Sequence, residues 1–515
     1  MEMSTKSNRA GWAVQVALIA GLALLFLAAL LWGLQGVTPA RADPGTLYVD
    51  GATGSDDSGC SNPADPCETI GYALERAGSG DEIRVAEGTY TETLGISYED
   101  LTLKGGYEAV DWTRDIAIHP TIIDADEADA SVIGIHGVSG VTVEGFTIQD
   151  ANHASGEGGG FFISSATATI SGTVVKDNTA GDAGGGVWIE NGDGAAAVSL
   201  INSEVLHNEV GDGWGGGGGL AGDGQITLDN VRVAGNTSHW GGGGIQAEGV
   251  MTITNSAIVS NTTAWHGGGI LADVVYIYHS DISNNEANGS GTIFGGGISR
   301  ASGQPGGRLV IQDSTVSNNR AIGTGESIGG GIDAEYSRAT IANTVVSGNS
   351  ARAHGGLSLY DTVLTMTNSL VVSNTDVGIS GDAVTGTIMH LTAAGNEDDG
   401  VAVGGAVEIV NSVLWGNGDD DFVCRGGGCT VAYSDVGTGD TTGTGNISAD
   451  PQFVDAANGD YHLQAGSPCV DAGTSVGAPL HDIEGTPRDA APDMGAYEWT
   501  EFRIFLPLTV RSFGP

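Results

Sequence analysis

Along the middle of the chain, apolar and polar residues alternate in short runs such as Met251-Thr252-Ile253-Thr254 and Ala339-Thr340-Ile341. A period of two over a few residues predicts short half-buried strands. The runs recur in one phrase: a strand, an Asn, a polar loop, two to five glycines, then an aliphatic residue. The phrase reads VVKDNTAGDAGGGVWI around Asn178 and VRVAGNTSHWGGGGIQ around Asn236. It reads AIVSNTTAWHGGGILA around Asn261 and VSNNRAIGTGESIGGGI around Asn319. Further copies fall at Asn208, Asn285 and Asn349, with decayed ones at Asn374, Asn396 and Asn417, and Asp150 holds the equivalent place in an earlier copy. Successive copies lie 21 to 34 residues apart.

No amphipathic helix of ten or more residues fits inside a unit, which excludes leucine-rich and ankyrin repeats. Stacked coils of short strands remain. The expected fold is all-β: a single-stranded, right-handed parallel β-helix of about 12 coils, ~60 Å long at the strand spacing. Asn tolerates the left-handed backbone region and would turn the chain between strands, and stacked Asn amides would hydrogen-bond as a ladder. Asn236 and Asn261 head N-x-S/T sequons; as ladder members they would carry no glycan. The glycines permit positive φ and close backbone approach. No Lys-Ser/Thr or helix follows them, so they are not phosphate loops, and their spacing is not that of calcium-binding nonapeptides.

A solenoid needs covered ends. Residues 43–120 read as the first cap and opening coils. Glu68 to Ala77 is expected to form one capping helix, with Ile70, Ala73, Leu74 and Ala77 on one side. Residues 121–449 carry the repeats, 450–498 read as the far cap, and 499–515 as a tail that includes the apolar Phe505–Arg511. At the other terminus, Lys6 and Arg9 precede an apolar run from Gly11 to Leu34, then Ala40-Arg41-Ala42. Residues 1–42 are expected to be an export signal cleaved before Asp43, or an uncleaved membrane anchor, since the run is long enough to span a bilayer.

Composition narrows the function. Glycine is 87 of 515 residues, about 17%, without a collagen period. Net charge is −45, with 18 basic and 63 acidic residues. Such a chain is no nucleic-acid binder, which needs clustered Lys or Arg. Five cysteines give two close pairs, Cys60–Cys67 and Cys424–Cys429, as candidate disulfides suited to an exported protein; Cys469 is left over.

The repeat phrase resembles that of polymorphic outer-membrane proteins and, more broadly, the pectate-lyase-like right-handed β-helix superfamily. Tyr48-Val49-Asp50, Gly80-Asp81-Glu82-Ile83 and Glu87-Gly88-Thr89-Tyr90 resemble the N-terminal cap of secreted members. Asp450-Pro451-Gln452-Phe453, Gly466 to Gly473 and Asp493 to Glu498 resemble the choice-of-anchor Q region of bacterial surface β-helices. No membrane β-barrel pattern follows Asn417, so the resemblance does not extend to self-export. The architecture implied hosts lyases, hydrolases and adhesins alike.

Three sets of residues are candidates for chemistry. Asp376 is followed 22 and 23 residues later by Asp398 and Asp399. One coil apart, their carboxylates would meet, as a hydrolase requires; this resembles the start of the polygalacturonase signature, whose His-Gly and Arg-Ile-Lys are missing here. Arg320, Arg338 and Arg352, with Glu326, Asp333 and Glu335 nearby, are candidates for lyase chemistry. Asp419, Asp420 and Asp421, and separately Asp124, Asp126, Glu127 and Asp129, offer oxygen ligands for Ca2+ but lack EF-hand spacing. A fourth signal is aromatic: Trp214, Trp240, Trp265 and Phe294 each precede a glycine run, with His239 and His266 beside them. Stacking would align them in a stripe that either binds an extracellular polysaccharide or surface protein, or seals the loop layer. The sequence therefore points to an exported binding or adhesion rod, with a polysaccharide lyase or hydrolase and a structural surface-layer component as alternatives.

Overall fold

The computed structural model describes residues 44–501, except 58, 193, 195, 214 and 301–304. The amino-terminal apolar run, Trp214 and the tail beyond 501 lie outside the described residues. Among these, no helix is long and apolar enough to cross a membrane. The described residues from Thr46 to 501 belong to one compact unit.

That unit is a right-handed parallel β-helix. Each coil contributes a strand to three faces. In one coil these are Val187–Glu190, Ala197–Ile201 and Glu204–Leu206. Each pairs in parallel, in register, with its counterparts one coil before and after. The alternation read from sequence is realised as inward apolar columns: Val198, Leu200, Ile226, Leu228, Met251 and Ile253 are almost wholly buried. Since side chains alternate about the sheet, one residue of slip would turn the core outward, so the pattern also fixes the register.

The asparagines form a ladder from Asn178 to Asn417, buried as far as Asn396. Each Nδ2 donates to the next Oδ1 at 2.9–3.1 Å. Each amide also donates to a backbone carbonyl and accepts a backbone N–H, as Asn261 does from Asn236 N and toward Val233 O. Asn236 and Asn261 are fully buried, so their sequons are not exposed. Two expectations are corrected. The left-handed residue is the one before the ladder: Asp177, His207, Ser260, Asn284 and Asn318 all have φ between 53° and 57°. Asp150 (φ 59°) belongs to that set, and Ala151 N, not Asp150, meets Asn178 Oδ1. A Ser ladder runs between the second and third faces, with Ser256, Ser280 and Ser314 hydroxyls each accepting the preceding coil's N–H.

The glycine runs lie against this ladder. A Cβ on Gly244 would stand 2.8 Å from Gly269 O and 2.9 Å from Asn261 Cγ, so only glycine fits. The runs fold back over the first face: Gly217, Gly267, Gly295 and Gly329 lie against the outward Ala221, Leu271, Ser299 and Asp333, which are buried.

The first cap contains a shorter helix than expected, Ile70–Leu74. Thr69 caps it, and the Glu92 carboxylate takes the Ile70 and Gly71 N–H groups at 2.9 and 2.7 Å. Ile70, Ala73, Leu74 and Ala77 are all buried, on the face expected. The Cys60–Cys67 disulfide closes the loop before it. At the other end the Cys424–Cys429 disulfide and residues 437–449 extend the last coil, through bridges Phe422–Gly439 and Asp435–Ile447. Residues 450–501 do not lie across that end as the cap expected for 450–498. They run along the flank of the last coils: Asn368 donates to His481 O, Asn411 to Thr474 O, and the buried Arg488–Glu498 pair also reaches Asn368. The apolar Leu370, Val372 and Ala394 beneath them explain why. The free Cys469 is buried there and donates to Asp435.

Candidate functional site

The loops between the Asn ladder and the first face form one continuous edge of the rod. Two stretches of that edge concentrate chemistry.

The first stretch is aromatic. Trp240 and Trp265 stand in successive loops with ring centroids 4.9 Å apart and planes 49° apart. Trp265 meets His266 at 4.4 Å, and His266 meets Phe294 edge-on at 5.0 Å. His239 joins Trp240 at 5.9 Å and reaches toward the exposed Asp212. Trp240, Trp265, His266 and Phe294 are half-buried and His239 is exposed. Sheet register brings the rings together, because each occupies a similar place in its loop. His266 Nδ1 accepts the Phe294 N–H at 3.1 Å, which leaves the ring proton on Nε2. Burial lowers its pKa to about 4, so it is neutral at pH 7.

The second stretch is acidic. Its loops are shorter, and the ladder residue is followed directly by Thr375-Asp376, Glu397-Asp398-Asp399 and Gly418-Asp419-Asp420. Asp398 N donates to Asp376 O and Asp419 N to Asp398 O, which puts the three in one column. Carboxylate oxygens of Asp398, Asp399 and Asp419 lie within 4.8 Å of one another. Burial, with the neighbouring Asp376 and Asp419 charges, raises the Asp398 carboxyl above its ordinary range. Burial, with Asp398 and Asp419, does the same to Asp399, while the Asp420 N–H opposes it. Spacing in the sequence thus located a real juxtaposition. Two neighbours were not legible. His354 takes the left-handed place that Gly329 holds one coil earlier; its N–H meets Asp376 Oδ2 at 2.7 Å and its Nδ1 lies 3.3 Å from Ser358 Oγ. Arg425 comes from the disulfide loop and donates to Ser380 Oγ at 3.2 Å. Burial lowers the His354 pKa, Asp376 opposes that shift, and Arg425 adds to it.

Other candidates are placed differently from expectation. Asp421 is buried and ends the ladder: its Oδ1 accepts Asn417 N and Nδ2, and its Oδ2 accepts Thr438. It is therefore no cation ligand, whereas Asp419 belongs to the carboxylate column and Asp420 meets it through its backbone, its N–H donating to Asp399 Oδ1 and its carbonyl accepting from Gly400 N. The three arginines do not converge. Arg338 sits on the second face beside Arg308, while Arg320 is exposed 3.8 Å from Glu286 and Arg352 reaches Gly325 O. Asp333 is buried between Ser299 and Ser358, and burial, then Glu335, raises its pKa well above normal. Glu335 follows on the same strand, and Glu326 lends its carbonyl to Ile293 N. Asp124, Asp126 and Glu127 line a surface hollow with Asp150 and Asp177; Asp129 does not.

No protein-family profile matches the chain. The uncharacterized protein YwoF of Bacillus subtilis (strain 168) is 28% identical over 120 residues, 22% of this chain and 24% of that protein. The match thus spans about a quarter of that relative's length. Among solved structures, pectate lyase Pel9A aligns with 89% of this chain and 97% of its own, at 14% identity and TM-score 0.32. XylC in complex with xylose aligns with 88% and 98%, at 10% identity and TM-score 0.41. The periplasmic alginate epimerase AlgG aligns with 68% and 75%, at 13% identity and TM-score 0.32.

Proposed function

We propose that this chain is an exported β-helix that binds extracellular polysaccharide along its loop edge. The observation that carries the reading is the half-buried ring column from Trp240 through Trp265 and His266 to Phe294. A ring sealing a core is covered on both faces. These rings keep part of their surface in water, and clustered exposed aromatics mark binding surfaces. A stacked column offers a run of contacts to a polymer rather than a pocket for one small molecule. The acidic chain, with three lysines in all, disfavours nucleic acid. The test is retention in affinity gels containing neutral and acidic polysaccharides. Retention weakened in Trp240→Ala supports the reading; retention unchanged in Trp240→Ala and Trp265→Ala overturns it.

A second reading, a polysaccharide lyase or hydrolase, is favoured by the Asp376–Asp398–Asp399–Asp419 column with His354 and Arg425 beside it. A carboxyl raised in pKa is suited to donate a proton, and a neutral imidazole to accept one. If a divalent cation takes part, Asp398, Asp399 and Asp419 are the residues that would hold it. Release of unsaturated sugars or reducing ends, with Ca2+ present and abolished by Asp398→Asn, would establish this reading over simple binding.

A further inference from the structure

Glycine loops lie against the outward column of the first face only from Phe162 onward, with Gly158 beside Phe162 and Gly184 beside Trp188. Toward the amino-terminal end, the same column reads Gly95, Gly134, Phe162, Trp188 in successive coils, by strand register. Gly95 is exposed, and the next three are half-buried. Two bare glycine rungs therefore abut an aromatic step, and the result is a groove of about 450 Å³.

Its walls are specific. A Cβ on Gly95 would meet nothing within 4 Å, so the floor there is open space. A Cβ on Gly134 would lie 2.7 Å from His136 Nε2, so the His136 imidazole leans over that glycine. The same imidazole stands 5.4 Å from the Phe162 ring at 40°. On the opposite wall the Glu157 carbonyl accepts from His153 Nδ1 at 3.1 Å and from the Ser131 hydroxyl at 3.4 Å. That bond puts the His153 proton on Nδ1 and leaves Nε2 an acceptor. No carboxylate lines the groove, although the chain carries 63 acidic residues.

We infer that this groove is a second carbohydrate site, which takes a pyranose unit of a neutral polysaccharide over Gly95 and Gly134, against Phe162. A pyranose has an apolar C–H face and a hydroxyl rim. The Phe162 ring suits the first, and the His136 and His153 imidazoles suit the second. Sites of this kind pair a mostly apolar wall with a few placed polar groups. A polyanion would meet the field of a chain with net charge −45, which a neutral polymer does not feel. The site uses none of the residues of the ring column; it rests on the reading above only for the class of ligand.

The test separates the two sites. Calorimetric titration uses xylohexaose, cellohexaose and a galacturonic acid hexamer, first on the intact protein and then on Trp265→Ala. The expected result is that a neutral hexamer binds both. Adding Gly95→Leu, which fills the open floor, weakens the remaining affinity about tenfold or more, with an unchanged melting temperature. Phe162→Ala, which removes one aromatic contact, weakens it several-fold. Binding to Trp265→Ala that Gly95→Leu leaves intact would overturn the groove, as would binding of the galacturonic acid hexamer alone. Binding abolished by Trp265→Ala itself would also overturn the groove and leave the ring column standing. Binding equal in Trp265→Ala and the intact protein, yet lost with Gly95→Leu, would overturn the column and leave the groove. No binding by any hexamer overturns both.

Discussion

The aromatic and acidic stretches of the loop edge hang from one ladder and share one strand register, yet the same repeat does opposite things in them. After Asn236, Asn261 and Asn285 the loops are long, their glycines lie down over the first face, and Trp240, Trp265, His266 and Phe294 stack above. After Asn374, Asn396 and Asn417 the loops shrink to four residues ending at Gly378, Gly400 and Asp421. There is no room for a covering run, and Asp376, Asp398 and Asp419 stand out one per coil. A parallel β-helix repeats every side chain at about 5 Å. That repeat gathers amides into a satisfied ladder and rings into a column. Applied to carboxylates it gathers like charges, which add to burial in raising the Asp398 and Asp399 carboxyls and disfavour the stack unless a cation or proton intervenes. One backbone thus multiplies whatever residue it is given, favourably in one stretch and unfavourably in the other.

The largest way to break the comparison is to break the ladder under it. Asn285→Ala leaves the Asn261 N–H and one hydrogen of its amide buried without an acceptor, and takes the Nδ2 donor from the Ile258 carbonyl. A loss of about 4 kcal/mol is expected at this interior rung, since each orphaned group costs ~1–3 kcal/mol. Asn417→Ala, at the part-buried end of the acidic stretch, should cost only about half as much, because water replaces the lost partners. Urea unfolding of the two variants checks the order; equal losses would mean that the ladder's burial is not what distinguishes the stretches. Next in size, Trp265→Ala removes the ring that joins Trp240 to His266, and about 2 kcal/mol is expected for a half-buried aromatic. The same variant should weaken retention on polysaccharide without abolishing it, a readout that packing alone would not move.

How much of this was legible follows from what repeats. Strand, Asn and glycine recur, so the fold, the ladder and the glycine stack could be read from period and spacing. The ring column and the Asp376–Asp398 juxtaposition could be read too, because stacking converts sequence spacing into contact. What was missed does not repeat. His354, like Asp376 one coil later, stands in for a left-handed glycine, Arg425 arrives from an irregular disulfide loop, and Asp421 leaves its acidic run to close the ladder. The flank taken by residues 450–501 has a signal only in lost alternation: in Val363–Val372 the outward Leu370 and Val372 are apolar where earlier coils carry polar residues such as Thr315 and Ser317. The Phe162 groove escaped because two absent side chains, at Gly95 and Gly134, define it.

Acid should sharpen the comparison, because the stretches titrate in opposite senses. His266 is neutral in the fold, with its pKa lowered to about 4 from an unfolded value near 6.5. Its contribution is present above pH 6.5 and is lost as pH falls toward 4, since the unfolded chain then binds the extra proton. Asp398 and Asp399 have raised values, so their contribution is present below pH 3.8 and is lost as pH rises through the folded pKa. In His266→Gln the melting temperature should fall less between pH 6.5 and 4 than in the parent. An unchanged slope would show that burial does not hold the His266 imidazole neutral in the fold.

The smallest effect expected is also the most diagnostic for the acidic stretch. Asp398→Asn keeps the size of the side chain and removes one charge from between Asp376 and Asp419. At neutral pH and low salt it should stabilise the protein by a few tenths of a kcal/mol, the scale of a solvent-screened surface pair. Added salt should shrink the gain, because screening already relieves the parent. A destabilising Asp398→Asn would mean that this carboxylate is satisfied in the fold, and the contrast with the ring column would fail. Ca2+ supplies the decisive arm. If the repulsion is relieved by a cation, millimolar Ca2+ raises the melting temperature of the parent and not of the variant. If Ca2+ moves both equally, the column is a cluster of like charges that the repeat imposes and nothing in it selects a cation.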